Sequence, residues 1–350
     1  MMEKVSFIIA NWNGEKTIAE CLDSVYAQTY KNYEVILLDN HSSDQSLELI
    51  KEKYSVDKLI ELDRNYGFAE ANNKGLEAAT GEYLALINND TVLEKHWLEK
   101  AVSVFRNSPH KNLGSVATKI IHYHQRNLID SAGVEFYGLG ACWDYKNLIQ
   151  DDVRVNRRKQ VFGACATAAL YKKSVIEEIG FFDPEFFIYF EDTDLSFRLR
   201  LFGYDCIYEP EAVSYHYGAR RRIRKNKLFI EKGRRNIEFL FIKNMQGRLF
   251  FRYLLSHFLY EGSLFFFYLS IGRGLSFIKA KIGVLNHLDC LLKKRKKLKQ
   301  NLKKSNRFHA LHLTEQRFLR FRLWSLVNKF KKAGWDLSET HIHSNKANDF

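Results

Sequence analysis

A chain of 350 residues that is 46% hydrophobic, with three prolines and no Gly/Ser-rich linker, has ample material for a buried core. That composition excludes a low-complexity or fibrous chain and suits one large domain or two ordinary ones. Its net charge of +13 is unevenly placed: residues 1–219 carry 23 Lys and Arg against 33 Asp and Glu, whereas residues 220–350 carry 31 against 8. An acidic front joined to a basic back points to a polyanionic partner for the back half. The five cysteines, Cys21, Cys142, Cys165, Cys206 and Cys290, are scattered and form no CxxC pair. This excludes a disulfide framework and a structural zinc site, and it leaves a reducing, cytoplasmic setting as the expectation.

The front alternates strands and helices. Val5–Ile9 is strand-like, and the apolar run it opens is too short for a signal peptide. Ile18, Cys21, Leu22 and Val25 fall at helical spacing between Thr17 and Gln28. A second apolar run, Glu34–Leu38, ends in the polar cluster Asp39–Asp44. A helix over Gln45–Tyr54, a strand over Lys58–Leu62 and a helix over Phe68–Ala79 follow, then the run Tyr83–Ile87, which ends in Asn88-Asn89-Asp90. This alternation predicts a mostly parallel, doubly wound sheet with helices on both faces. Ligands of such sheets bind outside the carboxyl ends of the strands, where both polar clusters lie. Residues 110–160 show no clear period. Beyond them come a strand over Ala166–Tyr171, helices over Lys173–Ile179 and Asp192–Phe202, and two strands, Asp205–Tyr208 and Ala212–His216. From Arg220 onward the sequence becomes helical, aromatic and basic. It contains the apolar run Leu264–Ile271, too short to span a bilayer, and the basic run Lys293–Lys297.

Three features carry chemistry. Asn88-Asn89-Asp90 offers hard oxygen ligands for Mg²⁺ or Mn²⁺, although amides and carboxylates are also ordinary turn residues after a strand. Glu191-Asp192-Thr193-Asp194 packs three carboxylates into four residues, so their mutual repulsion calls for compensation. A helix N-terminus supplies some, and an (i, i+4) contact from Arg198 to Asp194 supplies more. His216 ends a strand-like run, where a histidine is either packed or a ligand. His122 and His124 form an HxH pair without other metal-spaced neighbours and are read as structural.

Several blocks, taken in order, resemble family-2 glycosyltransferases with the GT-A fold, on the rhamnosyltransferase-like branch. They are Ser6–Gly14, Leu38–Asp44, Arg64–Gly75, Gly163-Ala164-Cys165, Glu178–Asp183, Phe190–Leu195 and Tyr215-His216, and together they cover roughly residues 4–245. The resemblance implies an inverting, metal-dependent enzyme that moves a sugar, rhamnose among the options, from a nucleotide-sugar donor to a hydroxyl of a glycan or lipid-linked acceptor. It implies donor contacts from Asn11, Asp39, Asn65, Asn73 and Asn88, with Asp39 at the base or ribose. It also implies Asp90 and His216 as ligands of Mg²⁺ or Mn²⁺, and Asp192 as the general base. Asn88 stands where the first aspartate of the family's DxD motif often lies. The expected organisation is a GT-A catalytic domain over 1–219, a helical, basic, membrane-associating region over 220–337 and a disordered tail over 338–350.

For the basic half, Lys and Arg mixed with aromatic and aliphatic residues suit an anionic membrane surface, with the chain peripheral on its inner face. No nucleic-acid-binding signature accompanies the charge, so no nucleic-acid partner is expected. Two other readings of the front exist. A sugar nucleotidyltransferase needs a Gly-rich, basic phosphate loop after the first strand, which Asn11–Glu15 does not offer. A catalytically silent scaffold of the same fold is at odds with Asp90, Asp192 and His216 all being present.

Overall fold

The first strand, β1 (Val5–Asn11), is apolar along almost its whole length because both of its faces are covered. Phe7 faces a core that includes Trp97, with ring centroids 6.3 Å apart, while Ile8 faces the opposite layer, where Gly75 lets a helix approach closely. A Cβ on Gly75 would sit 2.5 Å from the Ile8 side chain. The computed structural model describes residues 2–138, 140–144, 150–151, 155–218 and 226–305, all within one unit, Met1–Leu311.

In chain order, β1 is followed by α1 (Ile18–Tyr26), β2 (Tyr33–Asp39), α2 (Ser46–Lys53), β3 (Lys58–Glu61), α3 (Gly67–Ala78) and β4 (Tyr83–Asn88). Next come β5 (Thr91–Leu93), α4 (Trp97–Asn107), β6 (Leu113–His122), β7 (Ile129–Ser131), β8 (Val134–Tyr137), β9 (Ala141–Asp144), β10 (Lys159–Val161) and β11 (Ala168–Lys172). The sheet-containing part closes with α5 (Lys173–Ile179), α6 (Glu191–Leu201) and β12 (Asp205–His216). The main sheet runs β10-β12-β6-β11-β4-β1-β2-β3, with β5 on β12 and β7 on β6. Strands β3, β2, β1 and β4 are parallel neighbours, β11 is antiparallel between β4 and β6, and β6 is parallel to β12. The expected mostly parallel sheet with helices on both faces is therefore present, in a mixed form.

Two differences from the sequence reading have local causes. The unassigned middle holds β6 through β10, four of them only three or four residues long, too short to display a period. The two strands expected over Asp205–His216 are one strand, whose pairing with β6 shifts register between Glu209 and Val213. That irregularity absorbs Pro210, which cannot donate to the ladder.

The described C-terminal part is helical: α7 (Arg234–Asn244), α8 (Gly247–Ser270), α9 (Gly274–Asn286) and α10 (Leu288–Ser305), with a π turn at Phe229–Gly233 ahead of α7. Ile230, Leu264, Tyr268 and Phe277 form its own small core. No described helix is long and apolar enough to cross a membrane. The run Leu264–Ile271 lies in α8 with Leu264 and Tyr268 turned inward. Two of the five residues of the basic run on α10 also serve internal contacts: Lys294 bonds Asp183, and Arg295 donates to the Ile242 carbonyl and lies over the Phe250 ring. The cluster Arg220–Lys225, the 219/220 boundary and the tail 338–350 lie outside the described residues.

Candidate active site

The ends of β1, β2 and β4 form the first part of the site. In-register pairing sets Asn11 beside Asp39 at the last rung between β1 and β2. Asn11 Nδ2 donates to Asp39 Oδ1 (3.1 Å) and Ser46 Oγ (2.9 Å), while its Oδ1 accepts from Asn89 Nδ2 (2.8 Å). Ser42 closes the turn on Asp39, donating from its amide to Oδ2 (3.0 Å) and from its hydroxyl to Oδ1 (2.6 Å). Gly14 is required here, since a Cβ would fall 2.2 Å from Asn11 Oδ1. Asn65 joins one step away: Asn40 Nδ2 donates to Asn65 Oδ1 (3.1 Å), which also accepts from the Gly67 amide. Asn73 lies on α3, where its amide exchanges two hydrogen bonds with the backbone of Phe182 (3.0 and 3.1 Å) and fixes the segment leading to α6.

The second part is built by β5. After Asn88-Asn89-Asp90 the chain turns into this short strand, which pairs antiparallel with the end of β12 and sets Thr91 opposite His216. That pairing brings together residues 126 positions apart: His216 Nε2 lies 3.2 Å from Asp90 Oδ1, and its Nδ1 lies 2.7 Å from Asp130 Oδ2. Burial alone would lower the His216 pKa, but the two carboxylates outweigh it and raise it to about 10. The imidazolium in turn holds Asp90 below the usual carboxylate range despite the opposing effect of burial. Asn88 Oδ1 and Asp90 Oδ1 are buried acceptors that no described donor hydrogen-bonds in good geometry, and Asp90 Oδ1 has only the ion-pair contact with His216. Such oxygens suit a hard divalent ion. Among the described residues no group of three or more His, Cys, Asp or Glu has the arrangement of a closed metal site. An ion here would need further oxygen ligands from water or a bound molecule, as Mg²⁺ commonly does.

The third part is the start of α6, where the three clustered carboxylates take different roles. Glu191 is buried, and burial, reinforced by Asp192 and Asp194, pushes its pKa well above the ordinary range. Asp194 is buried and fully engaged: Arg198 Nε (2.9 Å, the expected i, i+4 contact), Lys243 Nζ (2.7 Å) and Asn244 Nδ2 (2.8 Å) surround it. Asp192 alone is partly exposed. Its Oδ1 accepts from the Thr193 amide (2.6 Å) and its Oδ2 from the Ala166 amide (3.1 Å). Ala166 is one residue from Thr167, whose carbonyl accepts from the Asn88 amide (3.0 Å). The carboxylate of Asp192 and the end of β4 are therefore moored to neighbouring residues of one segment.

The loop into α6 is strained. Phe187, Tyr189 and Phe190 have φ of 62°, 75° and 69°, a region that side chains rarely enter. What holds it comes from α7. Asn236 Nδ2 donates to the carbonyls of Phe186 (2.8 Å), Ile188 (2.9 Å) and Tyr189 (2.8 Å), and Arg235 donates to that of Glu185 (2.7 Å). Lys243 adds an ion pair to Asp183 (2.6 Å). The sequence reading missed Asn236, Arg235, Lys243 and Asp130. A buried basic or amide residue that serves distant carbonyls leaves no period or spacing to read.

Comparison with known proteins bears on the family and the fold. The family model for glycosyl transferase family 2 matches residues 6–180. Poly-beta-1,6-N-acetyl-D-glucosamine synthases of Staphylococcus epidermidis and Staphylococcus aureus are 28% identical over 221 residues, covering 61% of this chain and 50% of theirs. The chain thus spans about half the length of these curated relatives. Among solved structures, a mannosyltransferase from Pyrobaculum calidifontis in complex with GDP-Man and Mn²⁺ aligns over 96% of this chain and 88% of its own, with a TM-score of 0.52 at 17% identity. GalNAc-T7 with UDP, GalNAc and Mn²⁺ aligns over 61% of this chain and 44% of its own, with a TM-score of 0.51 at 18% identity. At these identities the structural likeness is one of fold.

Proposed function

Because the chain belongs to glycosyl transferase family 2, we propose that it moves a sugar from a nucleoside-diphosphate sugar to a hydroxyl of a glycan or lipid-linked acceptor, inverting the anomeric centre. The observation that carries this reading is the shared mooring of the Asp192 carboxylate and of the β4 end that leads to Asp90. Asn88 and Asp192 are tied to Thr167 and Ala166, so a leaving group at one and a nucleophile at the other would meet over the same strand end. Asp39, Asn11 and Asn65 would take the nucleoside. Asn73, committed to Phe182, would act by holding the pocket wall.

Asp90 and His216, with Asn88 beside them, would hold Mg²⁺ or Mn²⁺ once the ion displaces the Nε2 proton that the imidazolium carries in the metal-free site, and the ion would stabilise the charge growing on the departing diphosphate. Asp130 keeps His216 Nδ1 occupied and so aims Nε2 at Asp90. Asp192 accepts the proton of the attacking hydroxyl, a contribution of about 10²–10⁴ in rate. Its two oxygens are fixed by backbone amides, so the carboxylate needs no reorientation as it works. One base on the face opposite the leaving group suffices for inversion. Rhamnose, the sugar of the branch that the sequence blocks resemble, is the proposed cargo. A peripheral position on an anionic membrane is supported by the charge of residues 220–350.

Incubation with a panel of nucleotide sugars, followed by donor consumption and thermal shift with and without EDTA, tests the reading. One preferred donor, consumed only when Mg²⁺ or Mn²⁺ is present, is expected. Consumption of no donor, with no thermal shift from any, would overturn it.

A further inference from the structure

Helix α8 has a buried face of mixed character and an exposed apolar one. Its inward face, His257, Glu261, Leu264 and Tyr268, repeats at four, three and four residues and is buried. Its outward face carries Phe251, Leu255, Phe258, Leu259, Phe266 and Leu269, from 55% to 75% exposed. At 3.6 residues per turn these six fall within an arc of about 100° along the whole helix. Scattered exposed apolar residues are ordinary, but six large ones aligned on one face between Phe251 and Leu269, broken only around Gly262, mark a contact surface. The neighbouring α9 also exposes Leu275 (78%) and Leu285 (68%).

The charge around this stripe has one sign. Arg248, Arg252, Arg273 and Lys279 are exposed on α8, α9 and the turn between them. The two acids between residues 247 and 303 are Glu261, buried and paired with Lys281, and Asp289, paired with Lys293. A second copy docking about a two-fold axis would bring this basic rim against itself. A nucleic acid would find charge but no use for the apolar stripe. An anionic lipid surface satisfies both.

We infer that α8 docks in the plane of an anionic bilayer through the stripe Phe251–Leu269, with its basic rim at the headgroups. This deepens the peripheral reading of the C-terminal region and rests on it, independently of the transferase chemistry. The helix lies in the plane rather than across the bilayer because its inner face is locked to the protein: His257 Nε2 bonds Glu238 (2.8 Å) and Glu261 bonds Lys281 (2.6 Å). Withdrawing those charges into hydrocarbon would leave them unpaired at high cost. The docking residues are thus the outward stripe, whereas Leu264 and Tyr268 of the run singled out in the sequence belong to the core.

Flotation with phosphatidylcholine vesicles, with and without phosphatidylglycerol, tests this. The full chain should float with the anionic vesicles and be released in part by high salt. Leu255→Glu together with Phe258→Glu should weaken flotation at least about tenfold. Both residues are exposed, so the melting temperature and turnover on a soluble acceptor should stay at wild-type values, which separates this failure from a failure of the transferase reading. Equal flotation of variant and wild type, or no flotation by either, overturns the inference. So does a concentration-dependent dimer that the double variant abolishes, which would assign the stripe to a second copy.

Discussion

The proposed donor side and the proposed acceptor side of the site are held by different means. On the donor side Asn11, Asp39 and Asn89 bond one another and their own turns, at the ends of adjacent strands drawn from the first 90 residues. On the acceptor side, the loop that delivers Asp192 has three residues in left-handed conformations, and local amides serve only some of its carbonyls, as Ile188 does for Phe186 (2.7 Å). Further donors come from Asn236 and Arg235, about 50 residues further along the chain. Buried carbonyls must be paired, so the loop's geometry belongs as much to α7 as to its own sequence. The proposed nucleoside ligands are locally encoded, whereas the Asp90–His216 pair needs β12 and the placement of Asp192, the proposed base, needs the region that follows the family match.

The largest effect expected is at Asp90. Asp90→Ala should abolish transfer while leaving the melting temperature close to wild type, and EDTA should silence the wild type until Mg²⁺ or Mn²⁺ is restored. Full turnover in excess chelator would remove the metal from the donor side. Next comes Asp192→Asn, which keeps the size and most hydrogen bonding but removes the proton acceptor. Turnover should fall by about 10² or more, with donor affinity nearly unchanged in a binding titration. If donor affinity collapses instead and turnover survives, Asp192 is a helix cap and the two sides are not functionally distinct.

Asn236→Ala sharpens the comparison because the buried Asn236 amide is spent on Arg235 and the loop's carbonyls. Losing donors to three carbonyls should cost about 1–3 kcal/mol of stability in denaturant unfolding. Turnover should drop about tenfold with donor affinity kept, the signature of a loosened base. Loss of donor affinity instead would mean that α7 supports the donor side too. The smallest effect concerns acid. Burial opposes ionisation of Asp183, but Lys243 and Lys294 hold its pKa well below the ordinary range. A carboxyl depressed in the folded state contributes stability above its unfolded pKa of about 3.9, and that contribution is lost as pH falls below this value. Asp183→Asn should therefore lower the melting temperature at pH 7 and narrow the gap between melts at pH 7 and pH 3. An unchanged gap would show that other groups set the acid sensitivity.

What was legible in the sequence follows the same division. Asn11, Asp39 and Asp90 announce themselves as polar residues that end apolar runs, and Asp194 with Arg198 follows from helical spacing. His216 was readable as a residue, but its approach to Asp90 depends on β5, a three-residue strand with no signal of its own. Asp130, its other partner, lies in the stretch of short strands that hid the middle of the sheet. Helix α4 was missed although Trp97, Leu98, Ala101 and Val102 repeat at helical spacing. Lys243 and Lys294 look like surface charge in a basic region, and only three-dimensional contact reveals that both neutralise Asp183.

Gly67 ties the two sides together. It opens α3 with φ of 79°, and a Cβ there would lie 2.5 Å from both the ring and the carbonyl oxygen of Phe187, the first left-handed residue of the acceptor loop. On its other side the Gly67 carbonyl accepts from Asn40, the neighbour of Asp39. For anyone grafting modules between relatives, this contact sets the seam. A donor half transplanted without a glycine at this position would push the foreign acceptor loop out of register, so residues 65–67 and 183–192 should be exchanged as one cassette, or not at all.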